Sequence, residues 1–243
     1  MASPRISVVI PAYNEEAFLP RCLDSLKKQT FRDFEIIVVA GGQDATATIA
    51  RKFEAVVIPQ TEKGIAAARQ KGFDIASGEI IASTDADTVV PENWLERIDE
   101  LFRQHAEAGA VAGHFQLYDG PAFVRFWIRT SLTLMPVVLK FAPGIWSFGG
   151  FNFAVKKDVF KKIGGFDLHR DFGEDVDLCR RLKKNGKVVF DRTLVVRVSG
   201  RAFLKDRFGL KNLANYLSVL FRGKPSLTVV HGSDIINKPG NLE

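Results

Sequence analysis

Cysteine is scarce in this sequence, and its placement excludes two kinds of stabilising site. The 243 residues contain only Cys22 and Cys179, which lie far apart, each within an apolar pattern of helical spacing. Neither a metal-ligand spacing nor a disulfide framework is present. We predict that both are core cysteines, a usage consistent with a reducing compartment.

Long apolar runs are also lacking. The most hydrophobic stretch covers residues 121–148, and Arg125, Arg129 and Lys140 interrupt it. Its longest uncharged run, residues 130–139, falls short of the roughly 20 residues that span a bilayer. The first residues do not have the layout of a signal peptide. We therefore expect no transmembrane helix, and a cytoplasmic protein that is not secreted by that route.

The composition is that of a globular protein with a positive net charge. Hydrophobic residues make up 46% and charged residues 26% of the chain, which favours a folded domain over disorder. The net charge of +6 favours anionic partners such as nucleotides, phospholipid surfaces or nucleic acid. No recognised nucleic-acid module accompanies that charge, so we expect no nucleic-acid partner.

The first hundred residues alternate between strand and helix patterns. Apolar runs predict buried strands over residues 5–10, 34–39, 55–58 and 79–84. Apolar residues at three- and four-residue steps predict the helices between them. This alternation predicts βαβ units with a parallel sheet, hence an α/β fold. Ligands of such sheets bind at the carboxyl ends of the strands, where Tyr13–Glu15, residues 41–44 and Asp85–Asp87 fall.

The remaining sequence predicts a mixture of elements within the same domain. We predict helices that begin at Pro91 and Pro121, helices over 159–163 and 176–185, and strands over 110–117, 187–190 and 193–198. A turn at residues 149–152 interrupts strand-like sequence. We predict one domain over 1–243, which divides at about residue 120 and carries a basic extension over 201–243.

Two carboxylates, Asp85 and Asp87, stand at the end of a predicted buried strand. They form an oxygen-rich corner of the kind that Mg²⁺ or Mn²⁺ needs when it binds a diphosphate. The alternative is a turn in which one aspartate caps the helix after Pro91. The pattern is short and common, but two further polar loops at the same predicted edge favour the metal interpretation.

Taken together, the motifs resemble the family 2 glycosyltransferases. The resemblance implies an α/β, Rossmann-like GT-A fold with a central, mostly parallel mixed sheet. The motifs occur in the family's order and span roughly residues 5 to 200. They are Val8–Glu15, Glu35–Val39, Lys63–Gly64 with Ala68–Arg69, Ser83–Asp87, Gly164–Asp167 and Gly173–Leu178.

The resemblance implies a nucleotide-diphospho-sugar donor and inversion at the anomeric carbon. Residues of about 5–120 would form the nucleotide-sugar-binding half of the domain, and residues of about 121–200 the acceptor and catalytic half. Asp87 would hold the divalent ion, Mg²⁺ or Mn²⁺, with Asp85 toward the sugar or ribose. Asp175 would be the general base that takes the proton of the acceptor hydroxyl. The alternative is that Glu174 and Asp175 only cap the helix that follows, whose dipole favours their ionised forms.

The resemblance also implies further donor-binding residues. They are Pro11, Tyr13 and Glu15 around the nucleoside, Asp44, Arg69 near the base or diphosphate, Asp85, Gly150 near the donor sugar, Glu174 and Arg201. Several of them have a structural alternative. Asn14 would cap the first helix with Glu15 beside it, Asp44 would cap the second, Arg69 would be a surface arginine, and Gly150 would form a plain turn.

The sequence departs from the family pattern in two places. Residues 40–42 read Ala-Gly-Gly where many members have an aspartate pair that reads the base, which weakens the case for uracil and strengthens that for guanine or another base. Residues 197–201 lack the histidine that often completes the metal site. A metal would then rely on Asp87, phosphates and water, or Arg201 would offset the diphosphate charge. His231 lies late and is expected at the surface.

The acceptor side leaves two hypotheses open. Residues 201–243 contain seven Lys or Arg against three acidic residues, and Leu210, Leu213, Leu217 and Leu220 share one predicted helix face. Such a helix can lie on the cytoplasmic face of an anionic membrane and, with the aromatic stretch after Pro121, receive a lipid-linked acceptor. Alternatively, both segments pack on the sheet or in a dimer.

Two other functions compete with transfer. A non-catalytic nucleotide-sugar-binding or scaffold protein of the same fold would explain the two departures. A nucleotidyltransferase would need a glycine-rich, basic loop near the first strand, and residues 11–16 are acidic instead.

Overall fold

The computed structural model describes residues 3–126, 128–130, 148–170, 173–203 and 218. The strands are β1 (Ile6–Tyr13), β2 (Phe34–Gly41), β3 (Val56–Pro59), β4 (Ile80–Ser83), β5 (Thr88–Val89), β6 (Ala108–Leu117), β7 (Phe153–Lys156) and β8 (Lys187–Val198). The helices are α1 (Leu19–Lys27), α2 (Thr46–Lys52), α3 (Ile65–Ile75), α4 (Trp94–Gln104), α5 (Lys157–Lys162) and α6 (Glu174–Asn185). A 3₁₀ turn, Gly200–Phe203, follows β8.

These strands form one mixed sheet in the order β3-β2-β1-β4-β7-β6-β8-β5. β1 is parallel to both β2 and β4, and β2 is parallel to β3, as the alternation of strands and helices predicts. β7 then enters antiparallel between β4 and β6. β8 is parallel to β6, and β5 is antiparallel to β8.

Both faces of the sheet are covered, which explains the nearly continuous apolar runs. Along β1, Val8 and Ile10 face a core shared with α1 and α4, whereas Val9 faces a second core shared with α3 and α6. Cys22 lies in the first core and Cys179 in the second; both are buried, and neither forms a disulfide. The prediction of core cysteines is confirmed.

Two strand predictions were wrong in detail. The sequence predicts separate strands over 187–190 and 193–198, but β8 runs through both. Its register with β6 shifts between Gly113 and His114, and the Asp191 carboxylate accepts the backbone N–H and the hydroxyl of Thr193 at 2.6 and 2.7 Å. The polar residues between the two runs are thus a bulge. β5 is too short for a periodicity signal.

The aromatic stretch and the basic extension are described only in part. Residues 122–126 and 128–130 are helical, and Phe123 and Phe126 are each 67% exposed. Residues 131–147 lie outside the described part of the chain. So do His231 and all of the predicted C-terminal helix except Ser218. In the described part of the chain, no helix is both long and apolar enough to cross a membrane.

Candidate active site

The sheet places the predicted site at the carboxyl ends of β1 and β4. β1 lies between β2 and β4. After β1 the chain continues to β2 and β3 on one side of β1, and it then returns to form β4 on the other side. The ligand-binding crevice of an open α/β sheet lies at such a reversal of strand order. Glu15 follows β1, and Asp85 and Asp87 follow β4. The prediction that these loops share one edge is confirmed.

Arg201 joins the β1 and β4 loops. Its Nε donates to Asp87 Oδ2 at 2.9 Å, and its Nη2 donates to Glu15 Oε1 at 2.6 Å. Its guanidinium carbon lies 4.2 Å from the centroid of the Phe18 ring, a cation–π distance. The guanidinium is therefore a cation shared by two nearly buried carboxylates.

The β1 and β4 loops concentrate negative charge. Burial raises the pKa of Asp87 to about 7; Arg201 lowers that pKa, while Asp85 and Glu15 raise it further. Burial likewise raises the pKa of Glu15, against the opposing effect of Arg201. The ionised forms of Asp87 and Glu15 therefore depend on a nearby cation.

The segment before Arg201 is fixed from two sides. The Ser199 hydroxyl donates to the two carboxylate oxygens of Asp119 at 3.1 and 3.0 Å, and the Gly200 N–H also donates to Asp119. The Ser199 N–H donates to the Asp87 carbonyl at 3.2 Å. A Cβ at Gly200 would lie 2.5 Å from the Asp119 carbonyl oxygen, so only glycine fits there. The Ser199 hydroxyl is thus engaged by Asp119.

The predicted metal ligands do not form a metal site as they are arranged. Among the described residues, no group of three His, Cys, Asp or Glu side chains is placed to hold an ion. Asp85 Oδ1 accepts from Arg69 Nη2 at 2.6 Å, and Asp87 is paired with Arg201. Because a divalent ion needs several oxygen ligands around it, it would need the Asp87 carboxylate released from Arg201, together with diphosphate and water oxygens.

Arg69 is the second cation of the site. It is only 2% exposed, so the surface alternative is wrong. Its Nη1 is paired with Glu174, 105 residues away, and its Nη2 with Asp85. Although burial opposes it, Asp85, Glu174 and Asp175 raise the pKa of Arg69. The arginine therefore stays charged and joins the β4 loop to the start of α6.

Asp175 is held by backbone groups on both sides. Its Oδ2 accepts from Gly150 N at 2.8 Å, and its Oδ1 accepts from Val176 N at 2.8 Å. Burial raises the pKa of Asp175, although Arg69 and these two N–H groups lower it. One oxygen thus satisfies a first-turn N–H, as the capping alternative expects, and the other reaches the Gly150 loop.

Glu174 and Asp177 have different roles from Asp175. Burial, followed by the Asp175 charge, raises the pKa of Glu174 to about 7. Its carboxylate is paired with Arg69 and also accepts the backbone N–H of Glu174 at the start of α6, so the capping alternative describes only part of its role. Asp177 is paired with Arg181 at 2.7 Å and Arg170 at 3.3 Å, which makes it structural.

Gly150 is required by close packing. Its carbonyl accepts from Ser83 Oγ at 2.7 Å, and a Cβ on Gly150 would overlap the Arg69 guanidinium. A close approach of this glycine is therefore observed toward Arg69, and it occurs within a turn, as the structural alternative expects, since Asn152 N donates to the Gly149 carbonyl at 3.2 Å. Its contact with a donor sugar stays a prediction.

The β1 and β2 loops are tied together by polar side chains. Asn14 does not cap α1, contrary to its structural alternative; its Oδ1 accepts from Gln43 N at 3.0 Å. It has a φ of 52°, and this bond to the β2 loop fixes it in the left-handed region that asparagine tolerates. Asp44 accepts from Thr46 N at 2.9 Å and from Glu16 N at 3.0 Å, so it serves the start of α2 as expected and also binds the β1 loop.

Glycines stand at the carboxyl end of β2, where Gly41 is the last residue of the strand and Gly42 follows it. Pro11 lies within β1, paired with Val39, and Tyr13 ends β1 with 40% exposure. A Cβ at Gly41 would lie 2.7 Å from Tyr13 Cδ2 and 2.8 Å from Gln60 Oε1. Tyr13 and Gln60 thus surround the position where the family's aspartate pair is replaced by glycine.

Sequence reasoning missed Gln60 and Phe18 as parts of this site. Gln60 directly follows β3, so the rule that sites lie at the carboxyl ends of strands would have found it. Phe18 lies at the start of α1, where its pattern is that of any apolar helix residue. Only the fold shows that its ring faces Arg201.

Comparisons with known proteins agree with this architecture. A family model for glycosyl transferase family 2 matches residues 7–164. Glycosyltransferase GlyG of Streptococcus pneumoniae is 29% identical over 96% of this chain and 83% of its own length. Glycosyltransferase AglE of Haloferax volcanii is 30% identical over 75% of this chain and 62% of its own length.

Solved structures show the same fold at low sequence identity. The mannosyltransferase PcManGT from Pyrobaculum calidifontis, in complex with GDP-Man and Mn²⁺, has a TM-score of 0.68 and 22% identity over 91% of this chain. TarS 1-349 of S. aureus, in complex with UDP-GlcNAc, has a TM-score of 0.70 and 16% identity over 89% of this chain. The match covers 65% of each of those chains. Both are GT-A transferases. The chain therefore has the GT-A fold and belongs to glycosyltransferase family 2.

Proposed function

We propose that this chain transfers a sugar from a nucleotide-diphospho-sugar to an acceptor hydroxyl or phosphate, with inversion and with Asp175 as the general base. One observation carries the proposal: Asp175 is fixed by Gly150 N at 2.8 Å beside Arg69, which also holds Asp85 of the β4 loop. A carboxylate suited to deprotonate an acceptor thus stands next to the corner suited to the donor. The GDP-Man and UDP-GlcNAc bound by the two structural neighbours support the donor class.

The chemistry needs a single base. The acceptor oxygen attacks the anomeric carbon as its proton passes to Asp175, and the bond from that carbon to the diphosphate oxygen breaks on the opposite face. No covalent intermediate forms, so inversion follows from one displacement. Burial raises the pKa of Asp175, and a carboxylate with a raised pKa is a stronger base than an ordinary aspartate.

The leaving diphosphate needs a cation to stabilise its developing charge. We retain Mg²⁺ or Mn²⁺ as a proposal, with Asp87 as the ligand and Asp85 beside it; bound there, the ion would act as a Lewis acid. The Mn²⁺ in PcManGT supports a divalent ion in this fold. Both aspartates are paired with arginines here, so an ion would have to displace Arg201 from Asp87.

For the acceptor, we propose a lipid-linked molecule reached by peripheral contact with the cytoplasmic face of a membrane. Phe123 and Phe126, each 67% exposed, flank the exposed Arg125 on a helical segment. Exposed aromatic side chains next to a basic residue suit an anionic lipid interface. Vesicles containing phosphatidylglycerol should bind the wild type more strongly than a Phe123→Ser, Phe126→Ser variant.

Thermal-shift screening tests the donor assignment. UDP-, GDP-, dTDP- and CDP-sugars are added with and without Mn²⁺, and donor hydrolysis is then measured with those that bind. A donor at a hundred times its Kd should stabilise the fold by about 2.7 kcal/mol. No shift with any donor would contradict the proposal. Binding without hydrolysis or transfer would favour the alternative, a nucleotide-sugar-binding or scaffold protein.

A further inference from the structure

We propose that Arg201 occupies the cation position at Asp87, so that its guanidinium neutralises the donor diphosphate and competes with a divalent ion for that carboxylate. The role of Arg201 toward the donor diphosphate rests on the proposed function. The competition between Arg201 and a divalent ion for Asp87 does not. The inference comes from one observation: Asp87, the predicted metal ligand, is paired with Arg201.

The contacts of Arg201 match those expected of a cation in that position. Its Nε and Nη2 each engage a carboxylate, on Asp87 and Glu15, from two different strand ends. Both carboxylate side chains are 13% exposed, whereas that of Arg201 is 32% exposed. The arginine therefore covers the two acids while one side of it remains open to the crevice.

One part of the guanidinium is available to a ligand. Nη1 has no hydrogen-bond partner among residues 3–126, 128–130, 148–170, 173–203 and 218. Guanidinium groups bind phosphate oxygens through charge-assisted hydrogen bonds. A diphosphate in the crevice would thus meet a donor that is already oriented by two carboxylates.

Arg201 is also placed firmly enough to compete. Asp119 binds the Ser199 hydroxyl and the Gly200 N–H, and Ser199 N donates to the Asp87 carbonyl. The backbone of the arginine is thus attached to the same loop as its carboxylate partner. An ion that coordinates Asp87 must displace a guanidinium that cannot move far away, and the two like charges would repel at short range.

The loss of Arg201 would convert the corner into a better metal site. Glu15 Oε2 is buried and has no partner, and removal of the guanidinium frees Asp87 Oδ2 and Glu15 Oε1 as well. Carboxylate oxygens from two loops, with no cation between them, suit Mn²⁺. Metal affinity should therefore rise when the arginine is removed.

The first experiment measures Mn²⁺ alone. The full chain without donor is titrated with Mn²⁺ by electron paramagnetic resonance, as wild type, Arg201→Met and Arg97→Met. Arg97 is the matched control, because it pairs with Asp191 on the α4 side of the sheet. We expect Arg201→Met to bind Mn²⁺ at least about tenfold more tightly than the wild type, and Arg97→Met to bind like the wild type. Equal or weaker binding by Arg201→Met would overturn the proposal.

A second variant keeps this experiment decisive. Adding Asp87→Asn to Arg201→Met should abolish the gained affinity, and persistence of that affinity would place the ion elsewhere and overturn the proposal. If Arg201→Met proves poorly folded, Arg201→Gln replaces it; this side chain is shorter, uncharged and able to donate to one carboxylate. The melting temperature of either variant should rise more with Mn²⁺ than that of the wild type.

The second experiment measures UDP and GDP in EDTA and in Mn²⁺ by calorimetry. The wild type should bind one of them in EDTA, while Arg201→Met should lose that binding and recover it with Mn²⁺. Binding by the wild type only in Mn²⁺ would overturn the proposal. Failure of the wild type to bind either nucleotide in both conditions would count against the proposed function, and the Mn²⁺ titration would still decide the competition.

Discussion

At the residue scale, Asp175 bears the proposed proton transfer. Asp175→Asn keeps the shape of the side chain and removes its basicity. We expect transfer to fall roughly 10²- to 10⁴-fold while donor binding, measured by calorimetry, stays near the wild-type value. Asp177→Asn is the control, since Asp177 lies on the same helix but is paired with Arg181. Full transfer activity in Asp175→Asn would refute the base assignment.

The pH dependence of transfer follows from the neighbours of Asp175. The base must be ionised, and its pKa is raised, so activity should be lost as pH falls through a value above that of an ordinary aspartate. The Asp175 charge raises the pKa of Glu174, and because repulsion between two carboxylates is mutual, an ionised Glu174 raises the pKa of Asp175 in turn. Glu174→Gln should therefore lower the pKa of Asp175 and move the acid limb of the kcat/KM profile to lower pH. A limb that stays in place or moves upward would contradict this coupling.

The carboxylates and the two arginines of the candidate site could be predicted from the sequence, but the pairs that they form could not. Asp85, Asp87 and Asp175 lie in short motifs whose order along the chain carries information. Arg69 reaches Glu174 across 105 residues, and Arg201 reaches Glu15 across 186. No local pattern encodes such pairs, because they exist only after the strand ends have met at one sheet edge.

At the scale of single elements, the loop before β7 depends on one glycine. A Cβ at Gly150 would overlap the Arg69 guanidinium, which is confined by its two carboxylates. Gly150→Ala should cost about 1–3 kcal/mol of unfolding free energy and reduce donor hydrolysis, because Arg69 and Asp175 both move. Urea denaturation and a hydrolysis assay measure these effects.

Gly186→Ala is the control for Gly150→Ala. Gly186 ends α6 with a φ of 168°, which is extended backbone that any residue adopts, and a Cβ there meets nothing within 4 Å. Its stability should stay within about 0.5 kcal/mol of the wild type. Equal losses in the two variants would show that Gly150 has no special packing role.

The hydrophobic pattern of the sequence predicted the strands that are buried on both faces. It missed the features that depend on pairing with a neighbouring strand. β1 and β2 follow from their apolar runs, since each run fills two cores. The bulge in β8 separates two apolar runs, so the sequence predicts two strands. β5 consists of two residues that are strand only because Thr88 and Val89 pair with β8.

At the scale of the whole molecule, the parallel half was predictable and the insertion of β7 was not. Alternating strands and helices specify β1 to β4 by the rules of short, right-handed connections. β7 follows β6 in the chain, yet it pairs antiparallel with β4 as well as with β6. It therefore joins the two halves of the sheet through contacts that no sequence spacing reveals.

Asn152, next to β7, is the polar residue that fixes this junction. It is fully buried; its Oδ1 accepts from Trp94 Nε1 at 2.9 Å, and its Nδ2 donates to the carbonyls of His114 and Leu194 at 2.7 and 2.9 Å. Asn152→Ala removes three hydrogen bonds and leaves the Nε1 of the buried Trp94 without this partner, so the unfolding free energy should fall by roughly 2–4 kcal/mol. Urea denaturation followed by circular dichroism measures the loss, with Asn185→Ala, at an exposed helix end, as the control. Because Asn152 connects α4, β6 and β8, the variant should unfold in one transition at lower urea, and a loss no larger than that of the control would contradict this role.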